Sequence, residues 1–238
     1  MINQTPYDPR TIALLSEFIY PPQDIDAGTV QAIHNELYKD PDFSYQNFSV
    51  SHEGINLSNL REGPSEISAA NFLPDRIQVR EELTGTHVDD FTKRIERILS
   101  VSTQHLNIPI FVAHQHVVRS LVHPKNCRDA REFLATQVCD LSPEQFEPFG
   151  RPVGLFGIKM IFPAADGMTD YHNFRMESYN DDPRLVFVED IATFTQPVQP
   201  DRIEDLSTSM KMTYRFVRDR ALVFLSLFDQ KQEPPNEE

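Results

Sequence analysis

FVAHQHVVRSLVH, Phe111 to His123, reads as a β-strand, and that reading decides how the rest of the chain is divided. Val112, His114, His116, Val118 and Val122 share one parity, while Phe111, Ala113, Val117 and Leu121 take the other. A strand apolar on both faces is expected inside a packed layer. Its counterpart is TIALLSEFIYPP (Thr11–Pro22), an apolar run stopped by two prolines.

Outward from these two strands the chain repeats one order of elements. In the first half, DAGTVQAIHNELYKD has Asp26 as N-cap and Val30, Ile33 and Leu37 at helical spacing. FSYQNFSVSHEGINLSN suggests a hairpin turning near Glu53-Gly54, and LREGPSEISAAN reads as a loop. DRIQVREEL alternates Ile77, Val79 and Leu83 against Arg76, Gln78, Arg80 and Glu82, the pattern of a half-buried strand. A helix follows from a T-H-V-D box at Thr86, with Val88, Phe91, Ile95, Ile98 and Leu99 inward. Asp89/Lys93 and Asp90/Arg94 stand at i,i+4 on its wet side.

In the second half, NCRDAREFLATQV reads as a helix capped by Asn126, and Ser142-Pro143 opens a short turn. GLFGIKMIF, YHNFRMESY and RLVFVEDIATF are strands, and a long helix from about Asp205 to Phe228 closes the repeat. Its C-terminal half is apolar almost all round, so it is either central to the core or a subunit interface. The expected fold is α+β: two tandem strand–helix–strands–helix repeats, 1–106 and 107–229, with largely antiparallel sheets related by a pseudo-twofold. The tail 230–238 is expected to be disordered.

A formal charge of −14 argues against nucleic acid, which needs clustered Lys and Arg to neutralise phosphates, and against an anionic membrane. The N-terminal MINQTPYDPR lacks the basic and apolar regions of a signal peptide, and ALVFLSLF is too short to span a bilayer. A soluble cytoplasmic protein is the expectation. Cys127 and Cys139 flank a predicted helix that would hold their Cα atoms roughly 18 Å apart, too far for a disulfide.

LPDRIQV, DDFTKRIERIL, HVVRSLVHP and DAREFL together resemble a sporadically distributed bacterial family of uncharacterised proteins of about this length. Its pattern is a Pro-Asp-Arg strand, an amphipathic helix and a strand with a central arginine, here Arg119. This chain lacks the Tyr-Ile-Asn-like segment that usually follows. The resemblance spans nearly the whole chain and implies no activity. At the level of fold, the duplicated strand–helix–strand–strand order is similar to gyrase-inhibitory-protein-like domains, which bind small molecules between paired modules; no motif is shared.

Two histidines two apart on a strand face the same way, so His114 and His116 have the disposition of metal ligands. A third ligand would have to come from His123, His172, Glu177 or Glu189, none at a recognisable spacing. The plainer expectation is a pair of hydrogen-bonded core or groove histidines. Arg119, Arg175 and Glu177 are candidates for a groove between the repeats, against the simpler reading of ion pairs on a solvated sheet face. HEGIN at His52 lacks the second histidine of H-E-x-x-H, and eight glycines supply no G-x-G-x-x-G, P-loop or G-x-S-x-G. These observations favour a non-catalytic module, with no cofactor and no bound metal, that binds a small ligand or protein partner and dimerises through its last helix. The alternative is a metal-dependent or acid–base enzyme using His114 and His116 with Glu177.

Overall fold

The computed structural model describes residues 7–229 apart from 53, 61, 62, 64 and 166. The predicted tail at 230–238 and the turn residue Glu53 therefore lie outside the described residues. Within them the chain forms one nine-stranded sheet, every neighbouring pair antiparallel.

In chain order the elements are β1 (Arg10–Ile19), α1 (Ala27–Leu37), β2 (Asn47–Ser51), β3 (Gly54–Ser58), β4 (Ile67–Leu73), β5 (Arg76–Glu82) and α2 (Val88–Leu106). Next come β6 (Ala113–Val122), a single α turn α3 (Ala130–Glu132), a π-helical stretch Phe133–Val138 and a 3-10 stretch Pro143–Phe149. β7 (Gly157–Phe162), β8 (Asp170–Ser178), β9 (Val186–Phe194), a 3-10 turn Pro200–Arg202, α4 (Ile203–Phe216), a π turn Val217–Ala221 and α5 (Leu222–Ser226) complete them. No helix among the described residues is long and apolar enough to cross a membrane.

The strands lie in the order β2-β3-β4-β5-β1-β6-β9-β8-β7. FVAHQHVVRSLVH supplies β6, whose antiparallel partners are β1 and β9. The helices cover one face. There Leu14 and Phe18 of β1, Val118 and Val122 of β6, and Val186 and Val188 of β9 join α1, α2 and α4 side chains in one hydrophobic core. Each such buried aliphatic or aromatic side chain contributes roughly 1.5–3 kcal/mol. The opposite face carries Gln115, Val117 and Arg119, all half-buried, so β6 is one-sided rather than internal to a packed layer.

Local chemistry explains several departures from the sequence expectation. ISAANFL, expected to be part loop, is β4: Ala70 and Phe72 seat it on the core although Ser, Ala and Asn are weak strand formers. Gly54, at φ 143°, starts β3 where a Cβ would stand 2.7 Å from the Phe72 carbonyl oxygen. Leu83 adopts φ 58° and leaves the strand, so the buried parity of β5 is Ile77, Val79 and Glu81. Glu81 is tolerated there because Ser68 Oγ donates to it at 2.8 Å and Arg94 Nε stands 3.4 Å away. Arg94 is thus drawn inward, and Lys93 pairs with Asp90 instead of Asp89.

The N-cap of α2 is His87, which accepts from Asp89 N–H, not Thr86. Asp129, not Asn126, caps the short turn α3. The closing helix is interrupted by its π turn, where Leu222 N–H bonds Val217 O five residues back. Val217, Leu222 and Leu225 of that segment are buried in the chain's own core.

Candidate functional site

The sheet separates the residues that the sequence nominated. His114 and His116 lie on the helix-covered face at 3% and 0% exposure. His114 stacks on Phe194, its partner across the ladder, with centroids 4.8 Å apart. His116 Nδ1 is 2.8 Å from Ser16 Oγ, on the neighbouring β1. Neither nitrogen of His114 has a hydrogen-bond partner, nor does His116 Nε2. Burial holds His114 down to about 4 and His116 well below the usual imidazole value, so both are neutral at neutral pH.

Arg119, Arg175 and Glu177 have the other parity and project from the open face. Register sets Arg119 beside Glu189 and Glu189 beside Arg175 on three adjacent strands. Glu189 Oε2 accepts from Arg119 Nε at 2.6 Å and Glu189 Oε1 from Arg175 Nε at 2.7 Å. Glu82 and Glu177 extend the row at 3.7 and 3.5 Å. This is a charge ladder across an uncovered antiparallel sheet. Glu177 and the two histidines are therefore on opposite sides of the same sheet. The seam between the halves is the β1–β6 ladder itself; the pocket of about 150 Å³ beside it is lined by Glu17, Gln78, Arg80 and Gln115 and by none of His114, His116, Arg119, Arg175 or Glu177. Among the described residues no group of three His, Cys, Asp or Glu side chains is placed to hold a metal ion.

A different arrangement forms on the covered face at the β7–β8 end. Asp170 and His172 stand two apart on β8, and His172 lies across from Ala192 of β9, two residues beyond Asp190. His172 Nδ1 is 2.7 Å from Asp190 Oδ2 and Nε2 is 2.9 Å from Asp170 Oδ2. The ring stacks on Phe216, at the end of α4, with centroids 4.0 Å apart and planes 17° apart. Burial disfavours the imidazolium, but the two carboxylates outweigh it and His172 is raised above its ordinary value. Asp190 is fully buried and burial pushes its carboxyl up, against the opposing pull of His172.

Beside this triad is a cavity of 640 Å³, within the usual range for small-molecule sites. Met160 and Phe162 come from β7, Phe174 from β8, Met168 from the connecting loop, and Phe216 and Phe224 from the closing helix. Phe162 and Phe174 both stand edge-on to Phe216, at 5.5 and 6.3 Å between centroids. The charged residues that line it are Asp170, His172 and Arg220. Arg220 sits in the π turn, an irregularity frequent at functional sites because it re-aims the residues that follow.

Chemically, both His172 nitrogens face carboxylates. Neither nitrogen is left free to take a proton from a substrate or to ligate a metal. The triad fixes the imidazole ring between two carboxylates, beside an apolar space.

His172 was weighed from sequence only as a third metal ligand; Asp170, Asp190, Phe216 and Arg220 were missed. Two signals pointed to them. D-Y-H puts a carboxylate and an imidazole on one strand face, and Asp190 breaks the apolar parity of Val186, Val188, Ala192 and Phe194.

No protein-family model matches the chain, and no curated protein matches it.

Proposed function

We propose that this chain is a non-catalytic small-ligand-binding protein whose ligand occupies the cavity between β7, β8 and the closing helix. One observation carries the reading: an apolar, aromatic- and methionine-lined space of 640 Å³ meets a few fixed polar groups. Occupation of both His172 nitrogens supports binding over acid–base catalysis.

The sheet order supports reading the halves as related modules, since β5-β4-β3 and β9-β8-β7 run outward from the central β1–β6 pair. Free Cys127 and Cys139 accord with a reducing compartment, the cytoplasm. A homodimer through the closing helix would use the surface that leaves Met212 and Leu227 exposed. Sedimentation velocity tests it, and a monomer at every concentration overturns it.

Ligand binding is tested with methyl-labelled methionine and a panel of apolar acids, alcohols and amines. Binders should shift the Met160 and Met168 methyl signals and leave those of Met176 and Met210, buried and outside the cavity lining, in place. A panel that moves neither cavity methionine refutes the proposal.

A further inference from the structure

We infer that the cavity takes an amphipathic organic acid, its carboxylate held by Arg220 and its apolar body laid against the aromatic wall. The inference rests on the proposed ligand-binding role and names the class of ligand.

It follows from how the charges around the cavity are already spent. Three lining residues are ionisable. Asp170 is committed to His172 at 2.9 Å, and His172 is held from its other side by Asp190 at 2.7 Å. An incoming ammonium group would have to compete with the His172 ring, already 2.9 Å away, for Asp170. Arg220 has no such commitment. It is exposed, it lines the cavity, and no carboxylate among the described residues lies within ion-pair distance of it. Asp219, its neighbour in sequence, is held by Arg218 at 2.6 Å.

The segment around it, Arg215-Phe-Val-Arg218-Asp-Arg220, carries three cations and one acid in a chain of net charge −14. A guanidinium presents a planar fork that matches a carboxylate in two parallel hydrogen bonds, and such charge-assisted bonds are roughly twice as strong as neutral ones. Below it, the 640 Å³ of space has Phe162, Phe216, Phe224 and Met160 to bury an alkyl or aryl body. A polar head at the rim and a hydrocarbon tail inside satisfy both parts of the lining at once.

Isothermal titration of the full chain with octanoate, octanol and octylamine separates the head group from the tail, with the Met160 and Met168 methyl signals reporting where each probe sits. Octanoate should bind about tenfold more tightly than octanol, as one charge-assisted hydrogen bond predicts. In Arg220→Gln that margin should collapse. Octanol binding as tightly as octanoate, or a margin that survives Arg220→Gln, leaves the cavity reading standing and overturns the acid. Octylamine binding most tightly overturns it too and assigns the head group to Asp170. Failure of all three probes to bind or to move the two methionines refutes the cavity reading, and the acid with it.

Discussion

Replacing His114 with phenylalanine should make the protein resistant to mild acid. His114 is buried, stacked on Phe194 and without a partner for either nitrogen. Burial keeps it neutral in the folded chain down to about 4, whereas the unfolded chain protonates it at its ordinary value of 6.5. Between those limits the unfolded state binds more protons, so stability falls as pH falls. From about pH 7.5 to about pH 5 the loss attributable to this one ring is about 2 kcal/mol.

His116 is depressed in the same direction, chiefly by burial and in part by His114 itself, so its own loss is somewhat smaller in the variant and widens the difference in the same sense. His172 works oppositely: its raised pKa contributes stability below 6.5 that is lost as pH rises through the folded value. The His172 contribution cancels in the difference between the two proteins. At the upper pH His114→Phe should lie within about 1 kcal/mol of wild type, because the added volume opposes the relief of two unpaired polar atoms. Urea unfolding at both pH values, with slopes checked for constancy, measures the difference. Equal losses in the two proteins would refute the reasoning, because the ring would then be solvated or already paired.

Further predictions follow from the same structure. Asp190→Asn removes the charge that faces His172 Nδ1, so the His172 titration midpoint should fall in an NMR pH series; an unmoved midpoint would show that Asp170 alone holds it. Glu189→Gln strips the shared partner from Arg119 and Arg175, which are 33% and 42% exposed and can turn to water. A loss of about 1–2 kcal/mol is expected by chemical denaturation, and no measurable loss would mark the ladder as energetically idle. Asn107 ends α2 at φ 52°, so Asn107→Gly should be near neutral while Asn107→Val costs about 1–2 kcal/mol in thermal unfolding. Equal stability of the two variants would count against a left-handed cap.

Much of the fold was legible because its strands and helices carry strong periodic signals. Ile77 and Val79 against Arg76, Gln78 and Arg80 fixed β5, and Asp26 with Val30, Ile33 and Leu37 fixed α1. β4 was obscured because Gly63, Pro64 and Ser65 announce a loop and Ser68-Ala69-Ala70 carries little strand preference; the pairing with β3 and β5 on both sides decides it. The parity of His114 and His116 against Arg119 was readable. That the second face would be open was not, because half-exposed ion pairs and buried ones look alike in one dimension. The cavity was hidden for another reason. Its triad needs β8 beside β9, and its wall needs Phe216, more than forty residues beyond His172, to stack on that ring.

The position of β1 has a consequence for synthesis. It leaves the ribosome before both of its neighbours, β5 and β6, which end at Glu82 and Val122. At about 5–20 residues per second, β1 waits roughly 5–20 s before both hydrogen-bonding edges are taken. Until Glu82 is made IALLSEFI is a nascent segment with two unclaimed edges, and from there to Val122 it has one, the kind of strand that crowded polysomes bring together. Yield from the cell should therefore depend on how quickly translation reaches Val122.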